Sequence, residues 1–109
     1  MTMSRIKFAH PTEADLARLL DFYRIRWEYE PRRFPIAWSD RGAPIEYFTP
    51  DFYLPEYDTY IEMTVVKPKL QTRKNRKMRL LREAHPEVDV KLFNRRDVER
   101  LFSRMERAS

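Results

Sequence analysis

Residues 49–64 have the sequence TPDFYLPEYDTYIEMT, in which two β-prone runs flank a short polar connection. Because alternate side chains of a strand share a face, Asp51 and its neighbour Phe52 point to opposite faces, as do Glu62 and Ile61. If the two runs pair as antiparallel neighbours through residues 55–59, Asp51 and Glu62 lie close together on one face of the sheet. The pattern therefore predicts two carboxylates directed at one point.

Two carboxylates at one point repel each other, and their burial is costly unless a cation or a proton lies between them. A Mg²⁺ ion, or Mn²⁺ in its place, relieves this repulsion, and Mg²⁺ is held in proteins by one or two carboxylates together with water and phosphate oxygens. The alternative is structural, with both carboxylates capping loops or forming ion pairs with arginines of the basic segment that follows. The residue pattern leaves both interpretations open.

The segment after this motif is strongly basic. Residues 42–66 contain no Lys or Arg, whereas residues 67–82 contain eight of them and no acid. An acidic segment beside a basic one is typical of a metal site flanked by a surface for phosphate groups. The alternative is a solvated helix that carries many cations. The residues expected to bind nucleic acid are Lys67, Lys69, Arg73, Arg76 and Arg79.

Length and composition limit the classes of protein to which the chain can belong. It has 109 residues, 42% of them hydrophobic, and a net charge of +5, which predicts a single domain over residues 1–109. The absence of Cys excludes disulfides, thiolate zinc sites and cysteine nucleophiles, and two His residues exclude a histidine-rich metal cluster. No apolar run reaches the roughly 18 to 20 residues of a membrane span, and the start lacks the apolar core of a signal peptide. We therefore expect a cytoplasmic protein without a membrane partner.

The spacing of apolar residues predicts an α/β fold. Helical spacing occurs at Thr12–Ile25, Leu70–Ala84 and Arg96–Met105, with Thr12 as the expected N-cap of the first helix. Strand-like alternation occurs in two short runs between Trp27 and Trp38 and then at residues 45–54, 60–66 and 88–92. The order α-β-β-β-β-α-β-α predicts a mixed sheet flanked by helices.

The motif Thr49-Pro50-Asp51-Phe52-Tyr53-Leu54-Pro55, followed by Tyr60-Ile61-Glu62-Met63-Thr64, resembles the core motif of the PD-(D/E)xK nuclease superfamily, which has the restriction-endonuclease-like fold. The elements before and after the motif occur in the order typical of that family, so the resemblance covers most of the chain. It implies a small single-domain endonuclease that hydrolyses phosphodiester bonds, with DNA as the expected substrate and Mg²⁺ or Mn²⁺ as the cofactor.

The resemblance also implies roles for individual acids. Asp51 and Glu62 would be metal ligands, and Glu13 in the first helix would be a third acid of the metal site and of catalysis. The alternative for Glu13 is that an acid in a first helical turn is favoured by the helix dipole whatever its function.

One position departs from the family pattern. Thr64 stands where the motif has lysine, whose charge would orient the attacking water and stabilise the transition state. On a helical wheel Lys74 and Lys77 lie on the same face as Leu70 and Leu81, so either lysine can replace the missing one, and Lys74 is favoured because it lies nearer the helix start. The alternative is a lysine stem that covers apolar surface. If no lysine replaces it, the chain is a catalytically degenerate module that binds nucleic acid or regulates a partner enzyme.

A homodimer is the expected assembly. Cutting both strands of a duplex needs two active sites, and a two-fold dimer supplies the second one. Trp27, Tyr29, Phe34 and Trp38 are aromatic residues of the kind enriched at interfaces. The alternative is that these rings fill the space between the first helix and the sheet.

Overall fold

The computed structural model describes residues 6–64 and 67–108, and within them it contains three helices and six strands. Along the chain these are α1 (Pro11–Phe22), β1 (Glu28–Tyr29), β2 (Phe34–Trp38), β3 (Pro44–Phe48), β4 (Phe52–Leu54), β5 (Thr59–Met63), α2 (Pro68–Ala84), β6 (Val90–Phe93) and α3 (Arg95–Ala108). The predicted α/β class is confirmed.

The strands form two sheets. The larger sheet has the order β1-β4-β5-β6, in which β5 is antiparallel to β4 and parallel to β6. Strands β2 and β3 form a separate antiparallel hairpin. The predicted mixed sheet is therefore present, and its central strand β5 carries Glu62.

The prediction of one continuous strand over residues 45–54 is wrong. It is divided into β3 and β4, which belong to different sheets. Pro50 lies between them and is fully buried; because proline has no N–H to donate, it cannot continue a ladder of hydrogen bonds. Five strands therefore precede α2, where the sequence predicted four.

Several element boundaries also differ from the prediction. Helix α1 begins at Pro11 with His10, not Thr12, as its N-cap, and it ends at Phe22 rather than Ile25. The chain turns there through Arg24, which has a positive φ of 58°. Helix α2 begins two residues earlier than predicted and ends at Ala84 as predicted. Strand β5 ends at Met63, while Val65 and Val66 of the predicted strand lie outside the described residues.

Apolar side chains cover both faces of the larger sheet. On one face, Phe52 and Ile61 pack with Leu16 and Leu19 of α1 and with Val98 of α3. The other face packs against the hairpin and α2 through Phe34, Ile36, Phe48, Tyr60, Met78, Leu81 and Val90. Since Glu62 alternates with Ile61, its side chain points to the α2 face.

The aromatic residues expected at a dimer interface differ in how far they are buried. Phe34 is fully buried, and the rings of Trp27 and Tyr29 pack against Phe52 at centroid distances of 5.6 and 5.5 Å. Trp38 differs, with 44% of its surface exposed. The structure thus buries one of these four rings and leaves two partly exposed and one exposed. No helix among the described residues is long and apolar enough to cross a membrane.

Candidate active site

Asp51 and Glu62 lie side by side where the pairing of β4 with β5 ends. The ladder pairs Phe52 with Ile61, and the same register continued by one residue sets Asp51 opposite Glu62. The Asp51 N–H donates to Glu62 Oε1 at 3.1 Å, and the Met63 N–H donates to Asp51 Oδ2 at 2.8 Å. Main-chain donors of the strand ends therefore hold each carboxylate in place. The predicted proximity of the two acids is confirmed.

Both carboxylates are buried, and burial disfavours their charged forms. Asp51 is 7% exposed and Glu62 is 3% exposed. Burial raises the pKa of Asp51 to about 6, with a further contribution from the charge of Glu13. Burial and then repulsion from Asp51 raise the pKa of Glu62 to about 7. The pair is thus an electrostatically unfavourable arrangement that favours a proton or a cation.

Lys74 supplies a cation to this pair. Its Nζ lies 2.9 Å from Glu62 Oε2 and also donates to the main-chain carbonyl oxygen of Met63. The Lys74 side chain is 23% exposed, so it is only partly buried where it contacts the pair. One ammonium group faces two buried carboxylates, and the charge of the pair is only partly balanced.

Lys77 has different surroundings from Lys74. Its charge acts on Glu46 of β3, where, after the hydrogen bond from Arg76, it helps to lower the pKa of the Glu46 carboxyl. The structure therefore brings Lys74, and not Lys77, to the two carboxylates. The prediction that Lys74 lies closer than Lys77 to Glu62 is confirmed.

Glu13 is buried near the pair but points to other partners. Its Oε1 accepts hydrogen bonds from the Tyr29 hydroxyl at 2.6 Å and from the Ala9 N–H at 3.1 Å. Its charge contributes to the raised pKa of Asp51, as does the charge of Glu30. Within residues 6–64 and 67–108 no three acidic or histidine side chains form a group suited to hold a metal ion. Glu13 thus acts on the site through its charge, and its role as a third metal ligand stays a prediction.

Tyr29 is a site residue that the sequence pattern assigned to an aromatic surface. Its hydroxyl donates to Glu13 and accepts the Ala9 N–H at 3.2 Å. Burial and the hydrogen bond to Glu13 raise the pKa of the Tyr29 hydroxyl, which keeps it in the donor form. Its position next to Glu28 and Glu30 gave no signal of this role, because the contact joins residues that are 16 positions apart.

The basic residues of α2 fall into two groups. Arg76 makes a bidentate contact with Glu46, at 2.8 and 3.1 Å, and Arg79 pairs with Glu83 at 3.4 Å. In the part of the chain that the structure describes, the side chains of Lys67, Lys69 and Arg73 are exposed and have no ion-pair partner. Of the five residues predicted to bind nucleic acid, these three unpaired ones lie in the first half of α2 and just before it, the part that also carries Lys74.

Comparisons with protein-family models, with curated proteins and with solved structures gave no match. The function of the site is therefore inferred from its residues and their geometry.

Proposed function

We propose that this chain is a metal-dependent nuclease of the PD-(D/E)xK type, with the restriction-endonuclease-like fold, and that it hydrolyses phosphodiester bonds of nucleic acid, with DNA as the expected substrate. One observation carries the proposal. Asp51 and Glu62 are both buried, are held by reciprocal main-chain hydrogen bonds, and among the described residues have one ammonium group, that of Lys74, paired with them. A buried acid pair is costly for a protein that only needs to fold, and a bound divalent cation would offset that cost.

The chemistry of the donor atoms fits Mg²⁺ or Mn²⁺. The carboxylates of Asp51 and Glu62 and the carbonyl oxygen of Met63 are hard oxygen donors of the type that Mg²⁺ prefers. These three groups are the ones that would hold the ion. When bound, a divalent cation lowers the pKa of its water and stabilises negative charge on a phosphoryl oxygen.

Lys74 is the residue we assign to the role of the missing motif lysine. Its ammonium group contacts both Glu62 and the Met63 carbonyl oxygen, so it lies beside the atoms that would surround the reacting phosphate. A fixed positive charge at that point stabilises the charge that develops in the transition state. Asp51 is oriented by the Met63 N–H, and Glu13, held by Tyr29, adds negative charge that favours the cation.

The exposed cations support a polyanionic substrate. Lys67, Lys69 and Arg73 are exposed at the start of α2, on the helix that carries Lys74. Contacts of Lys and Arg with phosphates supply most of the sequence-independent affinity for nucleic acid. They would bring a phosphodiester backbone to the acid pair.

A second candidate function follows from Thr64. The side chain two residues after Glu62 carries no charge, and Lys74 already forms an ion pair with Glu62. A module that binds nucleic acid, or regulates a partner enzyme, without cleaving would tolerate both features. This candidate gives no reason for a second buried carboxylate, and we therefore prefer the nuclease.

The direct test is hydrolysis of labelled single-stranded and duplex DNA and RNA with Mg²⁺, with Mn²⁺ and with EDTA. We expect cleavage with the metals only, and losses of roughly a hundredfold or more in Asp51→Asn and Glu62→Gln, since even groups that only orient metal ligands are worth about that much. Asp40→Asn, at an exposed turn position, is the matched control and should cleave like the parent. Equal activity of all three variants, or cleavage in EDTA, would refute the assignment.

A further inference from the structure

A cavity of about 290 Å³ lies next to Met63, the residue that follows Glu62 in β5. Its wall includes Glu13 of α1 and the end of β5 at Met63 and Thr64. The main chain of Met63 is also the group that bonds to Asp51 and to Lys74. The cavity and the candidate active site therefore share a wall.

Thr64 helps to explain why this space is open. It lines the cavity at the position where the family motif has lysine. A threonine side chain is short, so the volume that a long lysine would cross is available to a ligand. The cavity is thus connected to the same departure from the motif that moved the lysine function to α2.

The cavity combines cations with apolar surface. Lys67, Arg95 and His10 contribute basic side chains from three separate parts of the chain, and Leu70 and Pro11 contribute apolar ones. Among the described residues Lys67 has no ion-pair partner, while Arg95 pairs through Nε with Glu99 at 3.2 Å, which leaves the other guanidinium nitrogens of Arg95 available. Leu70 is 40% exposed, which is a large exposed fraction for an aliphatic side chain.

This combination matches the chemistry of one nucleotide. Basic side chains pair with phosphate, and apolar side chains pack against the face of an unstacked base. Its volume of about 290 Å³ lies just below the roughly 300 to 1,000 Å³ that small-ligand sites span, so it is suited to one nucleotide rather than to a longer segment. A base inside a duplex is stacked and paired and cannot enter such a space without being extruded.

We propose that this cavity binds one unstacked nucleotide next to the phosphodiester that lies at Asp51 and Glu62, so that the substrates are nucleic acids with unpaired nucleotides: single strands, flaps or branch points. This inference rests on the proposed nuclease function and names its substrate class. Lys67 and Arg95 bind the phosphate of that nucleotide, and Leu70 contacts its base.

The test measures binding in EDTA, where no cleavage takes place, by fluorescence anisotropy of a labelled oligonucleotide as a single strand and as a duplex of the same sequence. We expect the parent to bind the single strand about tenfold more tightly, reflecting the cost of unstacking a duplex base. Lys67→Ala and Leu70→Ala should each reduce this preference severalfold. The matched controls are Arg82→Ala, an exposed cation at the far end of α2, and Leu92→Ala, which is 38% exposed and does not line this cavity.

Equal affinity of the parent for the two forms would overturn the inference, as would equal changes of preference in the cavity and control variants. Leu70→Ala keeps the test valid if the lysine variant does not fold, and circular dichroism checks each protein. Cleavage with Mg²⁺ without a single-strand preference would refute this inference alone. A single-strand preference without any metal-dependent cleavage would refute the nuclease proposal alone.

Discussion

Replacing Asp51 with asparagine should stabilise the folded protein at pH 8 in the absence of divalent metal. The substitution keeps the size of the side chain and an oxygen that can accept the Met63 N–H. It removes a negative charge that is buried beside Glu62. The free energy of unfolding should therefore rise even though a group of the candidate active site has been removed.

The magnitude follows from the raised pKa. The pKa of Asp51 is about 6 in the fold instead of the ordinary 3.8, and each pKa unit corresponds to about 1.4 kcal/mol. The ionised carboxylate thus costs about 3 kcal/mol of stability above neutral pH. Relief of this cost would raise the melting temperature by about 13 °C in a domain of this size.

The same shift fixes the sign of the pH dependence. An acid whose pKa is higher in the fold than in the unfolded chain retains its proton longer in the fold, so the parent loses stability as pH rises through the interval between the two pKa values. For Asp51 this interval is about pH 4 to 6, and Glu62 extends it to about pH 7. Glu46 and Asp89 have lowered pKa values and contribute a slope of the opposite sign, because their charged forms are stabilised in the fold. Asp51→Asn should therefore flatten the fall in stability between about pH 4 and 6 and leave the part that Glu62 contributes.

Urea unfolding followed by circular dichroism, in EDTA at several pH values, measures these effects. Asp40→Asn is the control, because it removes an exposed carboxylate of the same type. Added Mg²⁺ should raise the stability of the parent and have little effect on Asp51→Asn, because a ligand that binds the folded state stabilises it. If Asp51→Asn unfolds at the same or a lower urea concentration than the parent at pH 8, the electrostatic interpretation of the pair is wrong.

Three further predictions concern α2 and the hairpin. Lys74→Met should abolish cleavage and lower the free energy of unfolding at pH 8 by about 3 kcal/mol, because it leaves two buried carboxylates without their cation. Lys77→Met should change cleavage and stability much less. Cleavage kinetics and urea unfolding measure the two effects. Arg73→Ala should weaken nucleic-acid binding and reduce the slope of log affinity against log salt concentration by about one. Arg76→Ala should have a smaller effect, because that side chain is paired with Glu46. Fluorescence anisotropy over a series of salt concentrations measures both variants. The protein is expected to form a homodimer through a surface that includes Trp38, and light scattering should show Trp38→Glu as a monomer.

Each of these predictions can fail in a defined way. Full cleavage by the Lys74 variant would remove that lysine from the mechanism. Identical salt slopes for the Arg73 variant and the parent would exclude this arginine from the phosphate-binding surface. A monomeric mass for the parent at micromolar concentration, unchanged when nucleic acid is added, would refute the homodimer.

Much of the candidate site could be predicted from local sequence patterns. The two-residue period of a strand and a short connection were enough to predict that Asp51 and Glu62 lie together, because antiparallel register between adjacent strands is a local property. The helical period likewise placed Lys74 and Lys77 on the sheet side of α2. The α/β class followed from the same periodicities.

Tertiary packing decided the rest, because it joins groups that no local period relates. The burial of Pro50 directs β3 and β4 into different sheets, and the burial of Glu13 against Tyr29 joins residues that the sequence assigned to separate roles. Arg76, predicted to contact phosphate, instead forms an ion pair at the surface with Glu46, 30 positions away. The cavity beside the acids exists only where the starts of three helices meet the end of β5. Such contacts depend on how whole helices and strands pack to bury their apolar faces. Because hydrophobic burial is not directional, the residue pattern of a single element does not specify which other element it packs against.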